Sequence, residues 1–422
     1  MPAIEHLRGL EILDSRGRPT VRAACELASG ASATASVPSG ASTGAAEALE
    51  LRDGDPARYR GLGCREAAGN VGGEISGALV GRFFEQDRLD EALIELDGTP
   101  DKSRLGANAL LAVSLAFARA VAAERSVPLY EHFAGVLGHS PRVLPRPTIN
   151  LFSGGKHAGG QVQIQDVLVV PLSARTMSEA LSTTFEVYQS AAGIAQKKYD
   201  ARALTADEGG LAPPFPDAEA MLEDALAAIR DAGLAPGRDV ALAVDVAASH
   251  FYRDGRYLLG DGPLASIEMV ERLLSWLDGY PIVSVEDGLA EEDWDHWPLL
   301  RERVDGRALV LGDDLLCTNP ARIRRAIDAG AADALLLKVN QIGTLTEAAG
   351  AFELARDAGW SVTVSARSGE TEDDWLADLA VGWGGGQIKV GSITRSERLA
   401  KYNRLLAIEA ETGLPLAAWP AP

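Results

Sequence analysis

Cysteine is almost absent from this chain. Cys25, Cys64 and Cys317 are three residues scattered through 422, too few and too far apart for a disulfide framework or a cysteine zinc site. Cytoplasm is therefore the expected compartment. Positive charge is also short. Forty Lys and Arg face sixty Asp and Glu, giving a net charge of −20, which argues against nucleic acid and anionic membrane surfaces as partners. Long unbroken apolar runs are missing as well. The opening MPAIEHLRGLEILDSRG is interrupted by charges and has no signal core. The most apolar helical stretch, 107–123, carries Asn108 and Arg119 and reads as a core helix rather than a membrane span. Low-complexity segments and short-period repeats are missing too.

What is present suits a large soluble protein of two domains, since 46% of the residues are hydrophobic and 24% charged. Residues 1–140 mix strands and helices. Val21–Leu27 and Ala33–Val37 have strand character after the turn signal DSRGRP, and a helical pattern starts near Asn70. Three prolines in HSPRVLPRPTIN mark a junction. Residues 141–422 then repeat a strand–helix unit in which apolar runs end on Asp245, Glu286, Asp313, Lys338, Arg367 and Lys389, 22 to 41 residues apart. Continuous apolar runs of this kind read as parallel strands buried on both faces. In a (β/α) barrel such strand tips converge on one face, where the chemistry sits.

Asp245, Glu286 and Asp313 together offer the oxygen set a hard divalent cation takes. Capping the following helix is the plain alternative for any one of them. Lys338 and Lys389 read either as a base held near other cations or as structural partners of those acids. Glu208, in ADEGG, is placed to act from the opposite side, although DEGG alone reads as a turn. His157 sits in a glycine-rich loop, where a surface histidine is the commoner outcome, and His250 is a weaker candidate still. SVPSGASTGAAE reads either as a surface loop or as a lid whose hydroxyls and amides meet an anion.

The motifs DSRG, VPSGASTG, LDGTPDKSRLGAN, DEGG, DVAAS, VEDGLAEEDW, GDDL, LLLKVNQIGTLTEA, RSGETEDDW and GQIK, in that order, resemble the enolase family over nearly the whole chain. The resemblance implies an enolase-type (β/α)8 barrel with a smaller N-terminal α+β capping domain. It implies Mg²⁺, two per site, and a homo-oligomer. The implied substrate is a small phosphorylated three-carbon compound, with 2-phosphoglycerate and phosphoenolpyruvate interconverted. By that resemblance Lys338 is the base at the carbon alpha to the carboxylate, and Glu208 assists loss of the β-hydroxyl. Asp245, Glu286 and Asp313 hold the first metal and the lid residue Ser42 the second. Arg367 and Ser368 bind phosphate, Lys389 stands on the carboxylate side, and His157 and Gln165 complete the site. Enolase-superfamily sites are a known case of a Lys or His base working with one or two Mg²⁺ ions.

The departures cluster on the leaving-group side. Ala366 stands where the family has histidine, and Asp166 where it has glutamate. Ala206, Val390 and His250 also differ close to site residues. Arg18, Arg22 and Ala407 replace family residues, and the glutamate–arginine pair usual at the dimer contact is lost with the latter two. The pattern admits a paralogue of specialised metabolism, such as a carboxyphosphonoenolpyruvate synthase of phosphonate or phosphinate pathways. A non-catalytic binding protein is a further alternative, opposed by retention of Lys338, Glu208 and the three acids.

Overall fold

The computed structural model describes residues 1–41, 44–201, 204–260 and 262–420. Near the N-terminus an antiparallel meander forms from β1 (Ile4–Leu13), β2 (Pro19–Leu27) and β3 (Ser32–Ser36). The turn between the first two is built by Asp14, whose Oδ1 accepts the backbone N–H of Arg16 at 2.8 Å and of Arg18 at 2.9 Å. An aspartate that bonds its own downstream backbone makes such a turn locally stable. One face of the sheet, with Leu7, Val21, Ala23 and Ala35 buried, packs on the helix Ala107–Arg125. This helix passes the length and hydropathy test for a membrane span, yet 83% of its apolar window is buried inside the protein. It is the core helix that the sequence predicts.

The rest of the chain is dominated by a closed eight-stranded barrel. Its strands are β4 (Arg146–Ser153), β5 (Asp166–Val170), β6 (Ala241–Asp245), β10 (Ile282–Glu286), β11 (Leu309–Gly312), β12 (Ala334–Leu337), β13 (Ser361–Ser365) and β14 (Gln387–Gly391). A small outer sheet, β7 (Tyr252–Arg253), β8 (Arg256–Leu259) and β9 (Gly262–Leu264), follows β6. Helices cover the barrel and start on side-chain caps. Thr176, Asp217, Asn319 and Thr344 each accept a first-turn N–H, satisfying donors that would otherwise be orphaned.

Two features depart from the uniform parallel barrel the strand pattern predicts. β5 runs antiparallel to both β4 and β6. Residues 154–165 form a loop rather than a crossover helix, so the chain returns as a hairpin. The start of β5 is therefore at the catalytic end, with Asp166 in register with Asp245, which pairs in turn with Glu286. Lys389 is the second departure. It lies inside β14 and not at its tip.

The barrel's other end is closed by Trp419, packed on Leu168, Val170 and Ala243. The N-terminal unit docks through the helix Leu129–Val136 against the barrel helix Trp375–Trp383. Contact there depends on Gly382, because a Cβ at that position would lie 2.4 Å from the Tyr130 carbonyl oxygen. Gly382→Ala is expected to cost about 1–3 kcal/mol by forcing the helices apart. Thermal melting checks this against Gly193→Ala, a helical position with open space around it, where alanine is expected to be neutral or stabilising.

Candidate active site

β6, β10, β11, β12, β13 and β14 deliver their polar residues to one end of the barrel. Asp245 and Glu286 end their strands, Asp313 and Lys338 each stand one residue beyond, and Ala366, Arg367 and Ser368 follow β13. Glu208 reaches them from the loop before the helix Ala218–Asp231. Gly209, at φ +87°, turns that loop against β14, and a Cβ there would lie 2.5 Å from Thr394 Oγ1. A left-handed turn in so close an approach calls for glycine.

Most of these residues line one small buried cavity of about 20 Å³. Lys338, Arg367, Ser368, Glu208, His157 and Gln165 line it, with Asp245, Lys389 and Ala366 also exposed to it. The volume is that of roughly one water. Asp166, Glu286 and Asp313 lie behind this lining, and Glu286 and Lys389 also face a second void inside the barrel. Ser42, the proposed lid serine, lies outside the described residues.

Charge neutralisation dominates the geometry. Lys389 Nζ donates to Asp245 Oδ2 at 2.9 Å and to Glu286 at 2.7 and 2.8 Å. Lys338 Nζ pairs with Asp313. Burial disfavours every one of these charges, yet Asp313 holds Lys338 above the usual lysine value, and Asp245 and Glu286 do the same for Lys389. Asp245, despite burial, is pulled down to about 2 by Lys389. Glu286 moves the other way, well above the usual carboxylate value, through burial and the repulsion of Asp245 and Asp313. One ammonium divided between two buried carboxylates leaves negative charge unbalanced. An all-oxygen acidic set in that condition fits a hard divalent cation.

Among the described residues, the groups whose ligand atoms lie within 4.8 Å of one another are Asp287, Asp313 and Asp314, and His157, Asp166 and Glu208. Sequence reasoning missed Asp287 and Asp314. Asp287 adopts φ +43°, and its carboxylate accepts the backbone N–H of Asp313 at 3.0 Å and of Asp314 at 2.7 Å. It thereby fixes the turn that carries Asp313. The available signal was the doubling of acids in VEDG and GDDL. Arg16 of DSRG was also missed as a site residue. Its Nη1 donates to Ser368 Oγ at 2.9 Å, and its Nη2 to the carbonyls of Ser39 and Gly40 at 3.1 and 3.2 Å.

His157 is not the surface histidine its setting suggests. The ring is buried, with Nδ1 2.9 Å from Asp166 Oδ2 and Nε2 3.7 Å from Glu208 Oε1. Burial opposes protonation, but Glu208 and Asp166 outweigh it and raise the ring to about 9. Asp166 is also bonded by Ser153 Oγ. Glu208 Oε2 accepts from Asn150 Nδ2 at 3.0 Å. Against the cost of burial, His157 and more distant cations keep Glu208 below the usual glutamate value. Gln165 donates Nε2 to Asp245 at 3.1 Å, and its Oε1 has no hydrogen-bond partner among the described residues. His250 is held neutral, lowered to about 4 by burial and Lys156.

A histidine raised from about 6.5 in the unfolded chain to about 9 contributes stability that is complete below pH 6.5. That contribution is lost as pH rises through 9. In metal-free protein, His157→Gln is therefore expected to remove part of the fall in thermal midpoint between those two values. Parallel melts of wild type and variant across that range measure it, and an unchanged slope would contradict a charged His157.

A family model described as the enolase N-terminal domain matches residues 4–133, and one described as the enolase C-terminal TIM barrel domain matches residues 141–417.

Proposed function

The chain belongs to the enolase family, and from that premise we propose that it is a Mg²⁺-dependent carbon–oxygen lyase acting on 2-phosphoglycerate or a close analogue. The observation that carries this reading is the presence of Lys338 and Glu208 in the walls of one buried cavity that also contains Arg367 and Ser368. A base, an opposed acid and an anion-binding pair are what β-elimination next to a carboxylate requires.

Asp245, Glu286 and Asp313 are the residues that would hold the first Mg²⁺, and Ser42 belongs to the second site. Bound there, Mg²⁺ supplies positive charge to the substrate carboxylate, where the enediolate charge develops. Arg367 and Ser368 orient the phosphate. Lys338 accepts the C2 proton, and for that it must release Asp313, its present partner. Lys389 lies against Asp245 and Glu286, where it balances charge beside the carboxylate. On the other side the C3–OH bond breaks and the hydroxyl leaves as water, taking a proton from the His157–Glu208 pair. Asp166, accepting the Nδ1 proton, stabilises the imidazolium, whose Nε2 proton on the Glu208 side is the one given up. The balance closes, with one proton removed at C2 and one delivered to the leaving oxygen.

A second reading is the same proton abstraction on a phosphonate-bearing analogue, as in a carboxyphosphonoenolpyruvate synthase. It is favoured by the small Ala366 on the cavity wall and by the buried Gln165 Oε1, which has no hydrogen-bond partner among the described residues, since the wall then offers room and an unused acceptor.

Incubation with Mg²⁺ and 2-phosphoglycerate in D₂O, followed by NMR, tests the proposal. Exchange at C2 together with phosphoenolpyruvate formation is expected under the first reading, and exchange without elimination under the second. Lys338→Ala is expected to reduce C2 exchange by about 10²–10⁴-fold, and Glu208→Gln to slow elimination while retaining exchange. Full exchange in Lys338→Ala would remove that residue from the base role and with it the mechanism.

A further inference from the structure

Gln341 is fully buried and spends its whole side-chain amide on the site. Nε2 donates to Asp313 Oδ1 at 3.0 Å and to Glu47 Oε1 at 3.3 Å. Oε1 accepts from Thr318 Oγ1 at 2.7 Å, and that hydroxyl in turn accepts the backbone N–H of Lys338 at 3.0 Å. Turning the amide over would set its oxygen against two carboxylates, so chemistry fixes the orientation. The backbone adds a fourth bond, from Ala48 N–H to the Gln341 carbonyl at 2.8 Å.

Glu47 and Ala48 belong to the strap 44–50, which crosses the barrel mouth from the N-terminal unit. Glu47 holds Arg367 with both oxygens, at 3.0 and 3.1 Å. The neighbouring Asn340 repeats the arrangement, accepting from Arg367 Nη1 at 2.9 Å and donating to Glu50 Oε1 at 3.3 Å. The single turn Val339–Gln341, directly after Lys338, therefore grips both acids of the strap. The same turn touches the phosphate-side arginine and the acid proposed as a metal ligand.

We propose that Gln341 is a positioning residue that couples the strap 44–50 to Asp313, so that strap position sets divalent-cation affinity and the cation in turn sets strap position. The two N–H bonds of one amide divide between the carboxylates. Held at Oδ1, the Asp313 carboxylate keeps Oδ2 for a cation once Lys338, its present partner there, releases it. Without that donor it can turn both oxygens toward Lys338. Linkage makes the effect reciprocal. The inference rests on the reading of Asp313 as a Mg²⁺ ligand.

Titration calorimetry with MgCl₂ alone on the full chain tests it, comparing wild type, Gln341→Met, Glu47→Gln and the double variant. Gln341→Met is expected to weaken Mg²⁺ binding by about 10–100-fold, the range for removing a partner of a ligand. Glu47→Gln should change affinity in the wild-type background and add nothing in Gln341→Met, because the strap no longer has its path to Asp313. A purely structural role would lower the thermal midpoint of metal-free protein without this non-additivity. If Gln341→Met does not fold, Thr318→Val, which removes the lock on the amide oxygen together with the acceptor of the Lys338 N–H, replaces it with a smaller loss in the same direction. Affinity within about twofold of wild type, or a Glu47→Gln effect carried in full into the double variant, overturns the coupling. Wild type that takes up no Mg²⁺ instead overturns the metal reading of Asp313 itself, and the two failures are told apart by that control.

Discussion

Charge confinement is the constraint on which this molecule depends. Asp166, Glu208, Asp245, Glu286, Asp287, Asp313 and Asp314 are all buried at one end of the barrel. Each would be costly there without a partner. The protein supplies ammonium, guanidinium and imidazolium groups from other strands, together with backbone N–H donors at the turn after β11. Apolar strand interiors around the barrel set the scaffold. The register of acids and cations at its mouth sets what the scaffold can bind. Buried acid pairs contribute little net stability in general. Their retention in such number makes better sense as preparation for a ligand with positive charge than as a device for holding the fold together.

The N-terminal unit is part of that balance and not a separate appendage. Arg16 reaches Ser368, Glu47 reaches Arg367, and Glu50 reaches Asn340. Asn108, near the start of the core helix Ala107–Arg125, bonds the Leu51 backbone at both its N–H and its carbonyl, each at 3.2 Å. The strap is consequently tied at one end to a rigid helix and at the other to the turn after Lys338. The cavity of about 20 Å³ among the described residues has room for about one water. The acids of the strap compete for the cation that a phosphate would use, so closure and anion binding share one arginine.

Much of this was legible in the amino-acid order. Apolar runs that end on Asp245, Glu286, Asp313 and Lys338 showed the barrel strands, because strands buried on both faces leave little choice of composition. β1 was not legible. Five residues of that edge strand, among them His6, Arg8 and Leu13, are exposed, and its alternation is too irregular to stand out from a charged leader. The reversed direction of β5 was hidden as well, since a strand's apolar content carries no information about its polarity. Lys389 was placed at a tip because charge inside a barrel strand is rare, and only the structure brings it between Asp245 and Glu286. His157 was misjudged for a similar reason. Burial of a loop histidine depends on Asp166 and Glu208, residues that sequence distance does not bring together.

The substitutions Ala366 and Asp166 alter one side of the cavity in a coherent way. Asp166 is fully buried, does not line the cavity, and has both oxygens engaged, one by Ser153 and one by His157. A carboxylate placed behind the lining in this manner does not face the cavity. What it does instead is hold a protonated imidazole toward Glu208. Ala366 gives the cavity wall a methyl group, and Gln165 Oε1 has no hydrogen-bond partner among the described residues. Under the proposed function, proton delivery on this side falls to the His157–Glu208 pair, whereas Lys338 keeps Asp313 as its partner. A site changed on one half only is under different chemical demand in its two halves. Under the proposed function, the leaving group is the part of the substrate on which this asymmetry bears.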